Sequence, residues 1–230
     1  MPAGRARFER SVRFDFGGSA WLALPQRAVV WLERRWLIVA DIHVGKAATF
    51  RARGVPVPQG TTIANLERLS SLVEQTRPER LVFLGDLLHA REARREETMS
   101  LLAQWRERHA PLATTLVEGN HDRHAGRLPA ALGIETVVEP LSEQGIAFCH
   151  HPQLLDGAVV AGHLHPCVRL YGAANDAVRL PCFWLRERLL TLPAFGEFTG
   201  GAPIEREPGD RVLAIADERL IEVPNAARVA

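Results

Sequence analysis

Five short apolar runs in this chain of 230 residues end in Asp, Asn or His: LIVADIH (37–43), LVFLGD (81–86), TTLVEGNHD (114–122), IAFCHH (146–151) and AVVAGHLH (158–165). Runs of this length, rich in Val, Ile and Leu, form buried strands. Loops leaving the C-terminal ends of such strands bring polar side chains to one point. The chain is therefore expected to be an α/β protein with its chemistry in the strand-end loops. A single D-x-H or G-H-x-H carries little information, since a histidine at a strand end is ordinarily a core or surface residue. The co-occurrence of five clusters, each behind an apolar run, is what points to a metal site.

At 47% hydrophobic, 230 residues are enough for one well-buried domain and too few for two of ordinary size. Residues 1–230 thus read as a single domain, with residues 1–12 as a flexible N-terminal arm. Twenty-eight basic residues against 27 acidic ones exclude wholesale polycation binding to nucleic acid or anionic lipid, so attraction to phosphate has to be local. Cys149, Cys167 and Cys182 are odd in number and lack C-x-x-C spacing, which indicates neither a disulfide framework nor a zinc ribbon. A reducing cytoplasm is the expected location. The charged N-terminus is followed by no apolar core and no segment approaches the length of a membrane span, so secretion and membrane insertion are not expected.

AVVWLE (28–33) and WLIVAD (36–41), separated by Arg34 and Arg35, predict a hairpin that delivers Asp41 at its end. From Thr61 and Thr62, the spacing of Ile63, Leu66, Leu69 and Val73 predicts a helix closed by Pro78. Residues 91–109 predict a second helix with Met99, Leu102 and Trp105 on its inner face, followed by a strand over 113–118. Beyond His165 the pattern is mostly strands, with hairpins over 183–192 and 212–223 and a Gly- and Pro-rich surface excursion over 196–210. A helix-rich first half and a strand-rich second half predict two facing sheets covered by helices.

The candidate ligands Asp41, His43, Asp86, Asn120, His150, His163 and His165 are more than one tetrahedral ion can use, so two ions are implied. Asp86 is the natural bridge, because a carboxylate has two oxygens. Mixed oxygen and imidazole donors suit Mn, Fe, Zn or Ni rather than Ca. Two divalent ions bring four positive charges, of which Asp41, Asp86 and a bridging hydroxide remove three. The centre stays positive and attracts an anion. Two such ions hold a phosphate oxygen, lower the pKa of a shared water and favour in-line hydrolysis of a phosphoester by the bridging hydroxide. His121 follows Asn120 and is expected to face substrate, donating a hydrogen bond or a proton to the leaving oxygen, with Asp122 orienting it.

Basic residues follow three of the motifs: Lys46, Arg51 and Arg53; Arg91, Arg94 and Arg95; Arg123 and Arg127. They predict a basic rim that holds neighbouring phosphates of a flexible single strand. For Arg91 to Arg95 the competing reading is a solvated helix face, since Glu92, Glu96 and Glu97 interleave with them. Phe50 is either a base-stacking ring or a hydrophobic plug. His89 either contacts a phosphate oxygen or orients a ligand. Cys149 reads as a small core residue turned away from the site by strand alternation.

Taken in order, D-I-H (41–43), G-D-L-L-H (85–89), G-N-H-D (119–122), H-H (150–151) and G-H-L-H (162–165) resemble the calcineurin-like binuclear metallophosphoesterases. The resemblance implies a four-layer α/β sandwich. It implies one metal on Asp41, His43, Asp86 and His165, a second on Asp86, Asn120, His150 and His163, and the acid or transition-state role for His121. DIHVGKAATFRARGVPVPQGTT (41–62), LVFLGDLLHAR and CHHP are more narrowly similar to the ligase-associated DNA-damage-response endonuclease (PdeM-like) branch, over most of residues 36–170. That likeness implies a Mn2+-dependent phosphodiesterase or endonuclease acting on DNA, with an ATP-dependent DNA ligase, a helicase and a second nuclease as functional partners. His151 departs from the family, where Gly commonly follows the metal-binding His, so the choice between His150 and His151 as ligand stays open and the other is a candidate substrate contact. Two further readings compete: a small phosphodiester or nucleotide as substrate of the same site, and a non-catalytic scaffold for repair partners. Retention of His121 and of every ligand type speaks against the scaffold.

Overall fold

Strand alternation sets the layering. The computed structural model describes residues 10–52, 54, 55, 57, 60–171, 177–197 and 199–224. Most of the predicted N-terminal arm, residues 1–9, lies outside the described residues, and Val12 already begins the first strand. The first half of the chain builds β1 (Val12–Phe16), β2 (Ser19–Leu24), β3 (Ala28–Trp31), β4 (Trp36–Ala40), β5 (Arg80–Leu84), β6 (Ala113–Val117) and β7 (Glu135–Val137). They form a mixed sheet in that order, antiparallel from β1 to β4 and parallel from β4 to β7. The predicted hairpin is β3–β4, in which Trp31 pairs with Trp36.

The second half builds β8 (Leu141–Glu143), β9 (Ile146–Cys149), β10 (Ala158–Ala161), β11 (Pro166–Tyr171), β12 (Ala177–Leu185), β13 (Leu189–Thr191), β14 (Ala202–Pro203), β15 (Arg211–Ala216) and β16 (Arg219–Glu222). Among the described residues these form one sheet, ordered β14-β11-β12-β13-β10-β9-β8, with β15 on β12 and β16 on β15. Both hairpins predicted after His165 are present, as β12–β13 and β15–β16.

Trp36, Ile38 and Ala40 of β4 point between the sheets, where they meet Phe148, Val160, Phe183, Leu190 and Leu213. Trp21 and Trp31 stack there at 5.3 Å, and Phe148 packs on Trp21, Trp31 and Trp36. Burial of each such aromatic contributes about 2–3 kcal/mol. Leu37 and Val39 face the other way, toward the helices α1 (Lys46–Ala52), α2 (Thr61–Thr76), α3 (Glu96–Arg108) and α4 (Asn120–Ala125). Two mixed sheets with flanking helices result, as the patterning predicts.

Three expectations need correction. Ile63 is 45% exposed; the buried stripe of α2 is Leu66, Leu69 and Leu72. The segment 91–109 is a 3-10 turn over Arg91–Arg94 followed by α3, because Arg95 takes an extended ψ of 145° that interrupts the helix. The excursion 196–210 is no mere surface loop. Gly196 N–H donates to the Asp41 carbonyl at 3.0 Å, Ala202–Pro203 pairs with β11, and buried Asp210 accepts the Trp184 indole N–H at 2.8 Å.

The parallel strands β4, β5 and β6 end at one edge of the first sheet, and the parallel strands β9 and β10 end beside them in the second. Ala40 bridges to Ala194 and its carbonyl accepts the Phe195 N–H at 2.7 Å, which ties the two sheets together at that edge.

Candidate metal centre

Each candidate ligand sits within four residues of a strand's last residue. The chain has to turn sharply there, and Asp41, His43, Asp86, His163 and His165 all adopt left-handed φ, between 48° and 67°. That region costs a residue with a Cβ about 1–2 kcal/mol, so the packing of two sheets holds a strained cluster at one place. The glycines of the motifs allow close approach. A Cβ on Gly85 would lie 2.1 Å from His150 Nδ1, and one on Gly119 would lie 2.4 Å from Asp86 Oδ1.

Donor atoms of Asp41, His43 and His165 lie within 4.8 Å of one another. Asp41 Oδ1 is 3.4 Å from His165 Nε2, while Asp41 Oδ2 accepts the backbone N–H of His163 at 2.8 Å. A second group surrounds His150 Nε2, with Asn120 Oδ1 at 2.9 Å, His163 Nδ1 at 3.1 Å and Asp86 Oδ1 at 3.5 Å. Asp86 stands between the groups: its Oδ2 is 3.8 Å from His43 Nε2 and its Oδ1 faces His150. All seven candidate ligands are thus brought together.

Do these residues fit metal ions? Asp41 Oδ1, His43 Nε2 and His165 Nε2 are buried and have no hydrogen-bond partner. Leaving three buried polar atoms unsatisfied costs about 1–3 kcal/mol each, and their convergence matches the needs of a cation. The imidazoles are also oriented from behind. The Nδ1–H of His150 donates to the Leu84 carbonyl at 3.1 Å and that of His165 to the Gly200 carbonyl at 3.0 Å, which leaves each Nε2 as a lone pair facing inward. Burial, followed by the charge of Lys46 and neighbouring imidazoles, holds His43 far below its usual range; burial and the nearby His150 and His151 lower His163. Both rings are therefore neutral, the form that ligates. Burial pushes the Asp86 carboxyl up, opposed by His150 and reinforced by Asp41. The residues fit two ions.

Around the centre, His121 is half-buried with Nε2 3.9 Å from Asp86 Oδ2. Asp122 does not orient it. The Asp122 oxygens accept the backbone N–H groups of Leu88 and Gly119, each at 3.0 Å, so this carboxylate braces the 85–89 loop against the start of α4. Burial pushes Asp122 up to about 7. His121 is held instead by the His89 carbonyl, which accepts from Nδ1 at 2.5 Å. The His89 ring stacks on His121 at 4.9 Å, and Phe50 stacks on His89 at 6.0 Å, so the Phe50 ring supports histidines.

Between His150 and His151, the geometry favours His150 as donor: it is fully buried among the other ligands. The His151 ring bonds Glu139 Oε1 at 2.7 Å, and Glu139 Oε2 accepts both the His150 and His151 backbone N–H groups. Burial raises the Glu139 carboxyl, but these hydrogen bonds outweigh it and hold the group below its ordinary range. Glu139 is a residue that sequence reasoning missed; it stands eleven residues before His150 with no pattern of its own. The carbonyl of Gly200 was likewise invisible, since any residue type carries one.

Lys46 is half-buried within the field of Asp41 and Asp86; burial lowers its pKa and the two carboxylates oppose that shift. Arg51 and Arg123 are exposed on α1 and α4, and Arg53 lies outside the described residues. Arg91 and Arg94 donate to the carbonyls of His124 and Arg127, at 3.2 and 2.5 Å, so part of the expected rim also anchors the loop after α4.

Comparison with known proteins accords with this geometry. No curated protein matches the chain. The solved structure of nuclease MPE from Pseudomonas putida is 39% identical, covers 93% of this chain and 100% of that one, and superposes with a TM-score of 0.82. Yfce, a phosphoesterase from E. coli, is 16% identical over 82% of this chain and 97% of its own, with a TM-score of 0.40, too low to support an argument. The model of the calcineurin-like phosphoesterase family matches residues 34–153, the stretch that carries Asp41, His43, Asp86, Asn120 and His150. With that match and a neighbour so alike over nearly its whole length, the chain belongs to the calcineurin-like phosphoesterases, metal-dependent hydrolases of ester bonds.

Proposed function

We propose that this protein is a phosphodiesterase that cuts DNA, acting on single strands as an endonuclease in DNA repair, with Mn2+ as its metal. The observation that carries the reading is the convergence of Asp41 Oδ1, His43 Nε2 and His165 Nε2, buried and unpartnered, beside an Asp86 that faces both donor groups. Likeness to a nuclease at 39% identity supports a nucleic-acid substrate. In this reading Asp41, His43, Asp86 and His165 hold one ion, and Asp86, Asn120, His150 and His163 hold the other.

When bound, the two ions supply Lewis acidity and an activated water. The chain supplies orientation and proton transfer. Leu84 and Gly200 carbonyls keep the His150 and His165 lone pairs aimed inward. His121, with its Nδ1–H held by the His89 carbonyl, presents Nε2 to the centre, where as the imidazolium it hands its Nε2 proton to the leaving alkoxide and is left neutral. Lys46 adds positive potential beside Asp41 and Asp86, and Arg51, Arg123, His89 and His151 flank the substrate. Asp122 acts as a brace. The three free, buried cysteines suit a reducing cytoplasm, and no helix among the described residues is long and apolar enough to cross a membrane. The chain works as one domain, because the inter-sheet core runs from Phe14 to Ile215. A DNA ligase, a helicase and a second nuclease are its functional partners.

The test is metal-depleted protein resupplied with Mn2+, Fe2+, Zn2+ or Ni2+ in turn and assayed on circular single-stranded DNA. Mn2+ should restore cutting of the circle best, and Asp86→Ala should lose at least about 1000-fold in rate. Full activity in Asp86→Ala would end the two-ion reading. Degradation of linear strands alone would end the endonuclease assignment.

A further inference from the structure

His165 leads directly into β11, which with β12 forms an antiparallel hairpin. Directly opposed residues in such a pair point to the same side. Cys167 opposes Pro181, Arg169 opposes Arg179 and Tyr171 opposes Ala177, so these share one face. Val168, Leu170, Leu180 and Cys182, on the other face, pack into a cluster with Val212 and Ala214. The first face begins at the edge of the metal centre, because a cavity that His165 lines is also lined by Cys167, Arg179 and Pro181.

This face is unfavourable for folding. Like charges directly opposed on paired strands are destabilising, and no ion pair among the described residues includes Arg169 or Arg179. Arg179 donates one N–H to the Gly201 carbonyl at 3.2 Å. Burial raises the Cys167 thiol, and the positive charges of Arg179 and Arg169 oppose that shift, as the shared face of the three residues requires. Tyr171, the protein's single tyrosine, is 73% exposed further along the same face. Positive charge without an ion-pair partner among the described residues, beside an exposed flat ring, is complementary to an anion that carries flat apolar groups. At roughly 3.3 Å per residue, Arg169 stands roughly 13 Å and Tyr171 roughly 20 Å along the strand from His165. An occupant of both the centre and this face is therefore a polymer, with phosphates beyond the one being cut.

We propose that the β11–β12 hairpin is a nucleic-acid arm, in which Arg169 and Arg179 grip a phosphate flanking the cleavage point and Tyr171 stacks on an unpaired base of a single strand. This inference rests on the phosphodiesterase reading of the metal centre. Stacking needs a base free of its pairing partner, so the arm selects single strands over duplex.

The test compares wild type with an Arg169→Ala, Tyr171→Ala double variant, both loaded with Mn2+. Bis(p-nitrophenyl) phosphate is too small to extend beyond the centre, and its turnover should stay within about twofold. Titration by fluorescence anisotropy uses a phosphorothioate oligothymidylate of about twelve nucleotides; the variant's Kd should rise at least about tenfold. Its slope of log affinity against log salt should fall by about 0.7 for the lost guanidinium. Wild-type affinity and slope in the double variant would overturn the arm, as would equal binding of wild type to a blunt duplex of the same length. If Mn2+-loaded wild type does not turn over bis(p-nitrophenyl) phosphate, yet binds the oligonucleotide at least about tenfold more tightly than the variant does, the arm stands and the phosphodiesterase reading falls.

Discussion

Gly85 shows how tightly single positions are constrained at the centre. It has φ +75°, and a Cβ there would meet the His150 ring at 2.1 Å. Gly85→Ala is expected to destabilise the fold by about 3 kcal/mol, through backbone strain and overlap together, and to displace His150, visible as loss of one bound metal per chain by elemental analysis. Glu139 acts from behind the ligands, holding the amides of His150 and His151. Glu139→Gln should keep the melting temperature within a few degrees while weakening metal affinity about 10–100-fold, as measured by metal titration. The ligands themselves could be read from sequence because Asp, Asn and His at strand ends are conspicuous. Their orienting groups could not, because backbone carbonyls and a carboxylate distant in sequence leave no mark until the chain is folded.

At the scale of elements, α2 and α3 are tied by a buried hydrogen bond between Ser70 Oγ and the His109 ring at 2.8 Å. Burial lowers the His109 pKa from its usual 6.5; Arg108 and Arg106 lower it further, and Glu74 opposes them. The unfolded chain takes up a proton near pH 6.5 that the folded ring refuses until lower pH. The stabilisation is therefore complete above 6.5 and is lost as pH falls from there through the folded-state value. Melting temperature should drop between pH 7 and 5, and His109→Gln, which can still bond Ser70, should flatten that part of the profile. Helix boundaries were less legible than strands. Leu66 and Leu69 marked the buried face of α2, yet Ile63 at the same spacing falls in its first turn, outside that face. Just before the break at Arg95, Arg91 and Arg94 reach across to the carbonyls of His124 in the last turn of α4 and of Arg127 beyond it, contacts that no local pattern announces.

For the whole molecule, the centre lies where two face-packed sheets are also tied at one edge, so metal binding should stabilise both halves of the chain together. With divalent ion at about 100 times its Kd, linkage predicts a gain of about 2.7 kcal/mol. Chelation should accordingly lower the melting temperature in a single transition. Two separate transitions on chelator would show that the sheets unfold independently and that the ions do not clamp them. The apolar runs that form β4, β5, β6, β9 and β10 and the identity of the seven candidate ligands were legible in the chain alone, because an apolar run with a polar end is a local property; which residues of the uniformly apolar β4 face the other sheet was not. It took the folded chain to make Asp122 the brace of a loop while the His89 carbonyl holds His121, to set Glu139 behind His150, and to oppose Arg169 and Arg179 on paired strands leading from His165. Those relations depend on the register and approach of segments far apart in the chain, which no local pattern encodes.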